Sequence, residues 1–152
     1  MSLIVLDTGV IAEYANIGGS YNAQAAAIFK SINEGRLEAS LAPPTVTELY
    51  YVMKRVYETE RGEDASKRAH DFCKYVYYHP GIRVADLDFD LLVGAGRVKA
   101  DYGVAITDCY VLSLSKQLGC KALFRHREVE MRPVLDRMLK EFQVIFLEDY
   151  GR

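Results

Sequence analysis

Leu3-Ile4-Val5-Leu6-Asp7-Thr8-Gly9 opens the chain with four apolar residues, an acid and a turn. A short continuous apolar run reads as a strand buried on both faces, and such strands belong to parallel sheets covered by helices. Asp7 stands where that strand hands over to a helix predicted over 8–16, which stops before Gly18-Gly19. The same alternation continues along the chain. An alanine-rich helix is predicted over 21–33, ending at Gly35, and a second strand over 37–42, closed by Pro43-Pro44. Val46, Leu49, Tyr50, Met53 and Tyr57 share one face of a helix over 45–60. Gly62 punctuates, and a helix over 63–78 runs to His79-Pro80-Gly81. A strand over 82–85 follows, then helices over 89–100 and 106–118, with Gly119 as C-cap of the latter. A strand over 120–124, a helix over 128–141 and a strand over 144–147 complete the pattern.

Strands alternating with helices predict a three-layer α/β/α sandwich around a parallel sheet of about five strands, because each crossover must return to the same sheet end. No internal repeat, low-complexity tract or linker interrupts it, so a single domain over 1–152 is expected. In such sheets ligands bind beyond the carboxyl ends of the strands.

Composition agrees with a soluble domain: 152 residues, 50% apolar and 26% charged. No apolar run approaches the roughly 20 residues that cross a bilayer. The start meets Asp7 without a basic segment before it, which argues against a signal peptide and for the cytoplasm. Cys73, Cys109 and Cys120 lack paired spacing and read as buried reduced thiols. A net charge of −2 argues against simple coating of nucleic acid, but not against an enzyme acting on phosphodiesters.

Three isolated acids then stand out. Asp7 follows the first strand, Glu48 is the only charged residue between Glu38 and Lys54, and Asp108 interrupts a mostly neutral stretch from Tyr102 to Leu114. Each has a structural alternative. Asp7 suits an N-cap, Glu48 completes the capping box Thr45-Val46-Thr47-Glu48, and Asp108 favours the positive end of its helix. Taken jointly they point elsewhere. Two carboxylates about 4 Å apart repel by on the order of 4 kcal/mol at an effective dielectric near 20. That is roughly three pKa units, which demands a proton or a counter-ion. Mg²⁺ or Mn²⁺ is the hard, oxygen-seeking answer.

Leu6-Asp7-Thr8-Gly9-Val10, Pro43-Pro44-Thr45-Val46-Thr47-Glu48-Leu49 and Ile106-Thr107-Asp108-Cys109-Tyr110-Val111-Leu112, in that order, resemble a PIN domain and VapC-type toxins across essentially the whole chain. The resemblance implies a Mg²⁺- or Mn²⁺-dependent endoribonuclease with Asp7, Glu48 and Asp108 as catalytic metal ligands. It also implies a homodimer, and an antitoxin protein as partner. After the fourth strand the family pattern carries Thr-x-Asp or Thr-x-Asn, whereas this chain has Phe124-Arg125-His126-Arg127-Glu128. His126 takes the acid's place. Either Glu128, named here as a fourth metal ligand, or Glu130 moves into the role, or the second metal site is weakened; Asp101 is another candidate ligand or a solvated charge at a helix end. Arg125, His126 and Arg127 either grip RNA phosphates or form a solvated loop.

Other chemistries lack their residues. His70, His79 and His126 form no zinc motif, and no G-x-S-x-G elbow occurs. Gly94-Ala95-Gly96 does not follow a strand, and Tyr50, Tyr51, Tyr75, Tyr77 and Tyr78 fall in helical patterns that suggest core or subunit contact. Two alternatives remain. One is a degenerate PIN module that binds RNA or protein without cutting, motivated by His126. The other is an aspartate-nucleophile phosphotransfer domain, disfavoured because Gly9 stands where haloacid-dehalogenase-like enzymes have a second acid.

Overall fold

A computed structural model describes residues 2–60 and 63–151. Among them five strands form one sheet in the order β3-β2-β1-β4-β5: β1 (Ser2–Leu6), β2 (Leu37–Leu41), β3 (Ile82–Val84), β4 (Lys121–Phe124) and β5 (Val144–Phe146). Every pairing is parallel. The chain builds outward from β1 to β3, then returns to lay β4 against the free side of β1. That reversal places a crevice over the ends of β1 and β4, where open parallel sheets hold ligands.

Alternation along the strands sorts the core into two layers. Ile4 and Leu6 face α1 (Thr8–Ala15), α2 (Asn22–Asn33), α3 (Pro43–Thr59) and α4 (Ala65–Tyr77), meeting Ile11, Phe29, Leu49 and Met53. Val5 faces the other way, toward α5 (Phe89–Tyr102), α6 (Ile106–Leu118) and α7 (Leu135–Glu141), with Leu91, Leu112, Phe124 and Met138. The three-layer arrangement expected from the alternation is therefore present. The central strand needs apolar residues on both faces, which is why its run is unbroken.

Several boundaries differ. α3 begins two residues early, at Pro43, because proline at the first helical positions has no N–H to lose and its φ suits a helix. The helix expected over 128–141 starts only at Leu135, after a 3-10 turn over Arg132–Val134. Pro133 contributes to the delay, since it lacks the amide donor that an α-helix running on from 128 would need at that position. The predicted break at Gly62 lies outside the described residues. All three cysteines are free; Cys109 is buried, whereas Cys73 and Cys120 are only partly so. Tyr50, Tyr51, Tyr75, Tyr77 and Tyr78 are exposed, which corrects the core half of the expectation of core or subunit contact for them. They follow the helical period of α3 and α4 but lie off its apolar face, which Leu49, Met53, Ala69 and Val76 occupy.

Candidate metal centre

Asp7 follows β1 directly, and its amide still donates to Leu123 O of β4 at 3.0 Å. Sheet pairing thus carries the residue to the sheet's end and fixes where its side chain leaves the backbone. It also caps α1, accepting from the Gly9 amide through Oδ2 at 3.2 Å. The capping reading and the functional reading of Asp7 are therefore compatible. Only 5% of the residue is exposed.

Glu48 is not a capping residue here. With α3 starting at Pro43, the Thr45 amide already bonds Ala42 O at 3.0 Å. Glu48 instead sits beyond the first turn, and its Oε2 accepts from Thr107 Oγ1 at 2.9 Å and from Tyr51 Oη at 3.2 Å. The Tyr51 phenol is held above its ordinary pKa by partial burial and by Glu48, so it stays a donor. Asp108 lies in the first turn of α6 and is 7% exposed.

These three acids line one pocket of about 330 Å³ together with Glu128, Glu130, Thr8, Thr107 and Arg125. Burial, then the charge of Glu48, raises the pKa of Asp7 to about 7. Burial, then the charges of Asp7 and Glu48, raises that of Asp108 to about 8. Like-charge coupling across 101 residues of sequence is the electrostatic signature of convergence. Among the described residues no cation pairs with Asp7, Glu48 or Asp108. Arg125 turns to Glu13, and Arg127 to Glu148 and Asp149.

The donor set fits a hard divalent ion, because the ionisable groups lining the pocket are carboxylates with a single guanidinium and no thiol or imidazole. Among the described residues no three His, Cys, Asp or Glu side chains already stand in a metal-holding arrangement, so the acids share a pocket without closing on one point.

Glu128 reaches the pocket from the segment between β4 and the 3-10 turn, rather than from a helix start. His126 Nδ1 lies 3.7 Å from its Oε1. Glu130 also lines the pocket, whereas Asp101 does not. Asp101 pairs with Arg97 one turn away at 2.9 Å and is half exposed, which removes it as a candidate ligand. Thr107 and Glu13 escaped the sequence reading. Glu13 is 3% exposed and accepts from the Tyr21 amide at 2.7 Å. Nothing in its local sequence marks it, since its partners are eight and 112 residues away.

The PIN-domain family model matches residues 4–131. No curated protein matches this chain by sequence. Among solved structures, VapC20 of Mycobacterium tuberculosis, a sarcin–ricin-loop-cleaving toxin, aligns at TM-score 0.62 and 14% identity over 78% of this chain and 86% of that one. FitAcB from Neisseria gonorrhoeae aligns at 0.64 and 17% over 97% and 99%. VapBC2 from Rickettsia felis, solved on a promoter DNA fragment, aligns at 0.64 and 7% over 95% and 98%. At such identities these likenesses carry the fold alone.

Proposed function

This chain belongs to the PIN-domain family, and on that premise we propose that it is a divalent-metal-dependent endoribonuclease, the toxin of a toxin–antitoxin pair. The observation that carries the reading is the gathering of Asp7, Glu48 and Asp108, with Glu128 beside them, in one pocket where no cation among the described residues pairs with the first three. Asp7, Glu48, Asp108 and Glu128 would hold Mg²⁺ or Mn²⁺. Bound there, such an ion would lower the pKa of a coordinated water and offset charge on the phosphate oxygens. The chain's own side chains supply the rest. The Gly9 amide fixes Asp7, while Thr107 and Tyr51 orient Glu48. Val52, Ala12 and Ala105 narrow the pocket and strengthen the field between its charges.

The reading treats residues 1–152 as one catalytic domain, acting in the cytoplasm; no helix among the described residues is long and apolar enough to cross a membrane. It includes a homodimer, for which Phe89, Leu92 and Val93 offer an exposed apolar face at i, i+3 and i+4 of α5. The partner is an antitoxin, as in the complexes that similar structures contain. Mn²⁺ titration by calorimetry and cleavage of a labelled RNA test the proposal, with Asp7→Asn expected to abolish both. Cleavage that survives chelation, or that survives Asp7→Asn, would refute it.

One observation favours the non-cleaving alternative. His126, standing where the family has an acid, does not line the pocket and instead accepts from Arg125. Mn²⁺ binding with no cleavage of any RNA selects that reading.

A further inference from the structure

Arg125 is the first residue after β4, and the pocket described above is lined by no other cation among the described residues. Its side chain lies along the first turn of α1. A Cβ on Gly9 would meet Arg125 Cβ at 3.1 Å and Cδ at 3.7 Å, so the two residues pass in close contact and a larger residue at 9 would crowd the arginine. The guanidinium is stretched between two supports. Nη1 reaches Glu13 Oε2 at 3.5 Å, and Nη2 donates to His126 Nε2 at 2.9 Å. A guanidinium cannot accept, so His126 receives that bond on Nε2 and carries its own proton on Nδ1, facing Glu128.

Neither support is a carboxylate of the pocket. Glu13 is itself 3% exposed and tied to the Tyr21 amide, which makes it a fixed anchor. Three polar atoms at this edge are nonetheless buried without a partner: Arg125 Nε, Thr8 Oγ1 and His126 Nδ1. Buried donors are ordinarily satisfied, and a cluster of exceptions beside a pocket asks for an acceptor. Thr8 lines the pocket as well. A cation and a hydroxyl with bonding capacity to spare, next to acids that suit a divalent ion, describe a place for an oxyanion rather than another metal ligand.

We propose that Arg125, braced by Glu13 and assisted by Thr8, binds a backbone phosphate of the RNA strand beside the carboxylate pocket. The inference rests on the nuclease reading and deepens it. The segment that departs from the family's pattern at His126 gains a substrate contact one residue earlier, at Arg125, and His126 helps to hold it. Arg127, the other arginine of the segment, has no such role. It is committed to Glu148 and Asp149 at 2.8 and 2.9 Å and lies over the Phe146 ring.

The test measures affinity rather than turnover. A fluorescent single-stranded RNA is titrated in Ca²⁺ across a salt series, with strand integrity checked on a gel. Removing one phosphate contact from a single strand lowers the salt slope by about 0.7 and affinity by roughly tenfold. Arg125→Gln is expected to do both, Arg125→Lys to keep the slope, and Arg127→Gln to leave slope and affinity unchanged. Inorganic phosphate forms a second arm, expected to compete weakly with wild type and not with Arg125→Gln. Should folded Arg125→Gln bind RNA with wild-type slope and affinity while wild type still cleaves, the phosphate contact is overturned and the nuclease reading stands. Should free phosphate bind tightly while RNA affinity ignores the substitution, the strand is the wrong ligand. Should wild type bind no RNA at all, both fall together. If Arg125→Gln fails to fold, Thr8→Val and phosphate competition against wild type decide: unchanged RNA affinity in Thr8→Val together with no competition by phosphate overturns the contact.

Discussion

The hydroxyl of Thr107, in the first turn of α6, donates to Glu48 Oε2 of α3 across 2.9 Å, joining helices that cover opposite faces of the sheet. The bond spans 59 residues of sequence and closes over the strand ends. It ties the pocket's walls together, and with the Tyr51 hydroxyl it fixes the orientation of an acid in a partly open site.

Thr107→Val removes that donor while nearly conserving volume. Partners of metal ligands typically contribute 10- to 100-fold in affinity, so Mn²⁺ binding should weaken by about tenfold, with Tyr51 still holding Glu48. Thr107→Ser should restore it. Calorimetric titration of the three proteins is the check; unchanged affinity in Thr107→Val would show that the bond serves only helix packing.

The buried acids make stability depend on pH with a definite sign. Asp7 and Asp108 have ordinary values of 3.8 and are raised to about 7 and about 8 in the folded protein. The folded state therefore binds their protons more tightly than the unfolded state. That contribution is fully present below about pH 4 and is lost as pH rises toward 8. The thermal midpoint in chelator should fall between pH 5 and pH 8, and Mn²⁺ should restore it most at the upper end, since its ligands must be deprotonated. A midpoint that is flat in chelator across this interval would contradict the coupling.

Asp108→Asn removes one of the mutually repelling charges. At pH 8 without metal it should stabilise the fold by on the order of 1 kcal/mol, while cleavage falls at least about 100-fold. Thermal melts and a gel assay on the same preparations separate the two effects. Lower stability together with lost activity would make Asp108 a structural residue first.

The contact between α5 and α6 offers a test independent of function. A Cβ at Gly94 would meet Ser113 Oγ at 2.3 Å but Ser113 Cβ only at 3.5 Å. Gly94→Ala alone should cost about 1–3 kcal/mol through overpacking. Ser113→Ala in the same chain should recover most of that, because ordinary contact distance is then restored. Additive free energies in a double-mutant cycle would rule out the clash.

Much of this was legible in the residue order. The apolar run before Asp7, the periodicity of α3 and the exact span of α6 are local patterns, and local patterns report burial. The acids were legible for the same reason, each being a lone charge in a stretch that is otherwise apolar or neutral. What failed to show was anything fixed by distant neighbours. Glu48 looked like half of a capping box because its true partner, Thr107, is remote in sequence. Residue order offers Glu128, Glu130 and Asp101 as candidates for the missing acid, and only the fold shows that Asp101 pairs with Arg97 while both glutamates reach the pocket.

Sequence by itself determined the layers, because burying a strand on two faces or a helix on one writes a period into the chain. Tertiary structure alone decided which charges face one another. Strand order 3-2-1-4-5 brings Asp7, Glu48, Asp108 and Arg125 to the same sheet end. Electrostatic coupling falls with distance through space, and no spacing along a chain encodes that distance.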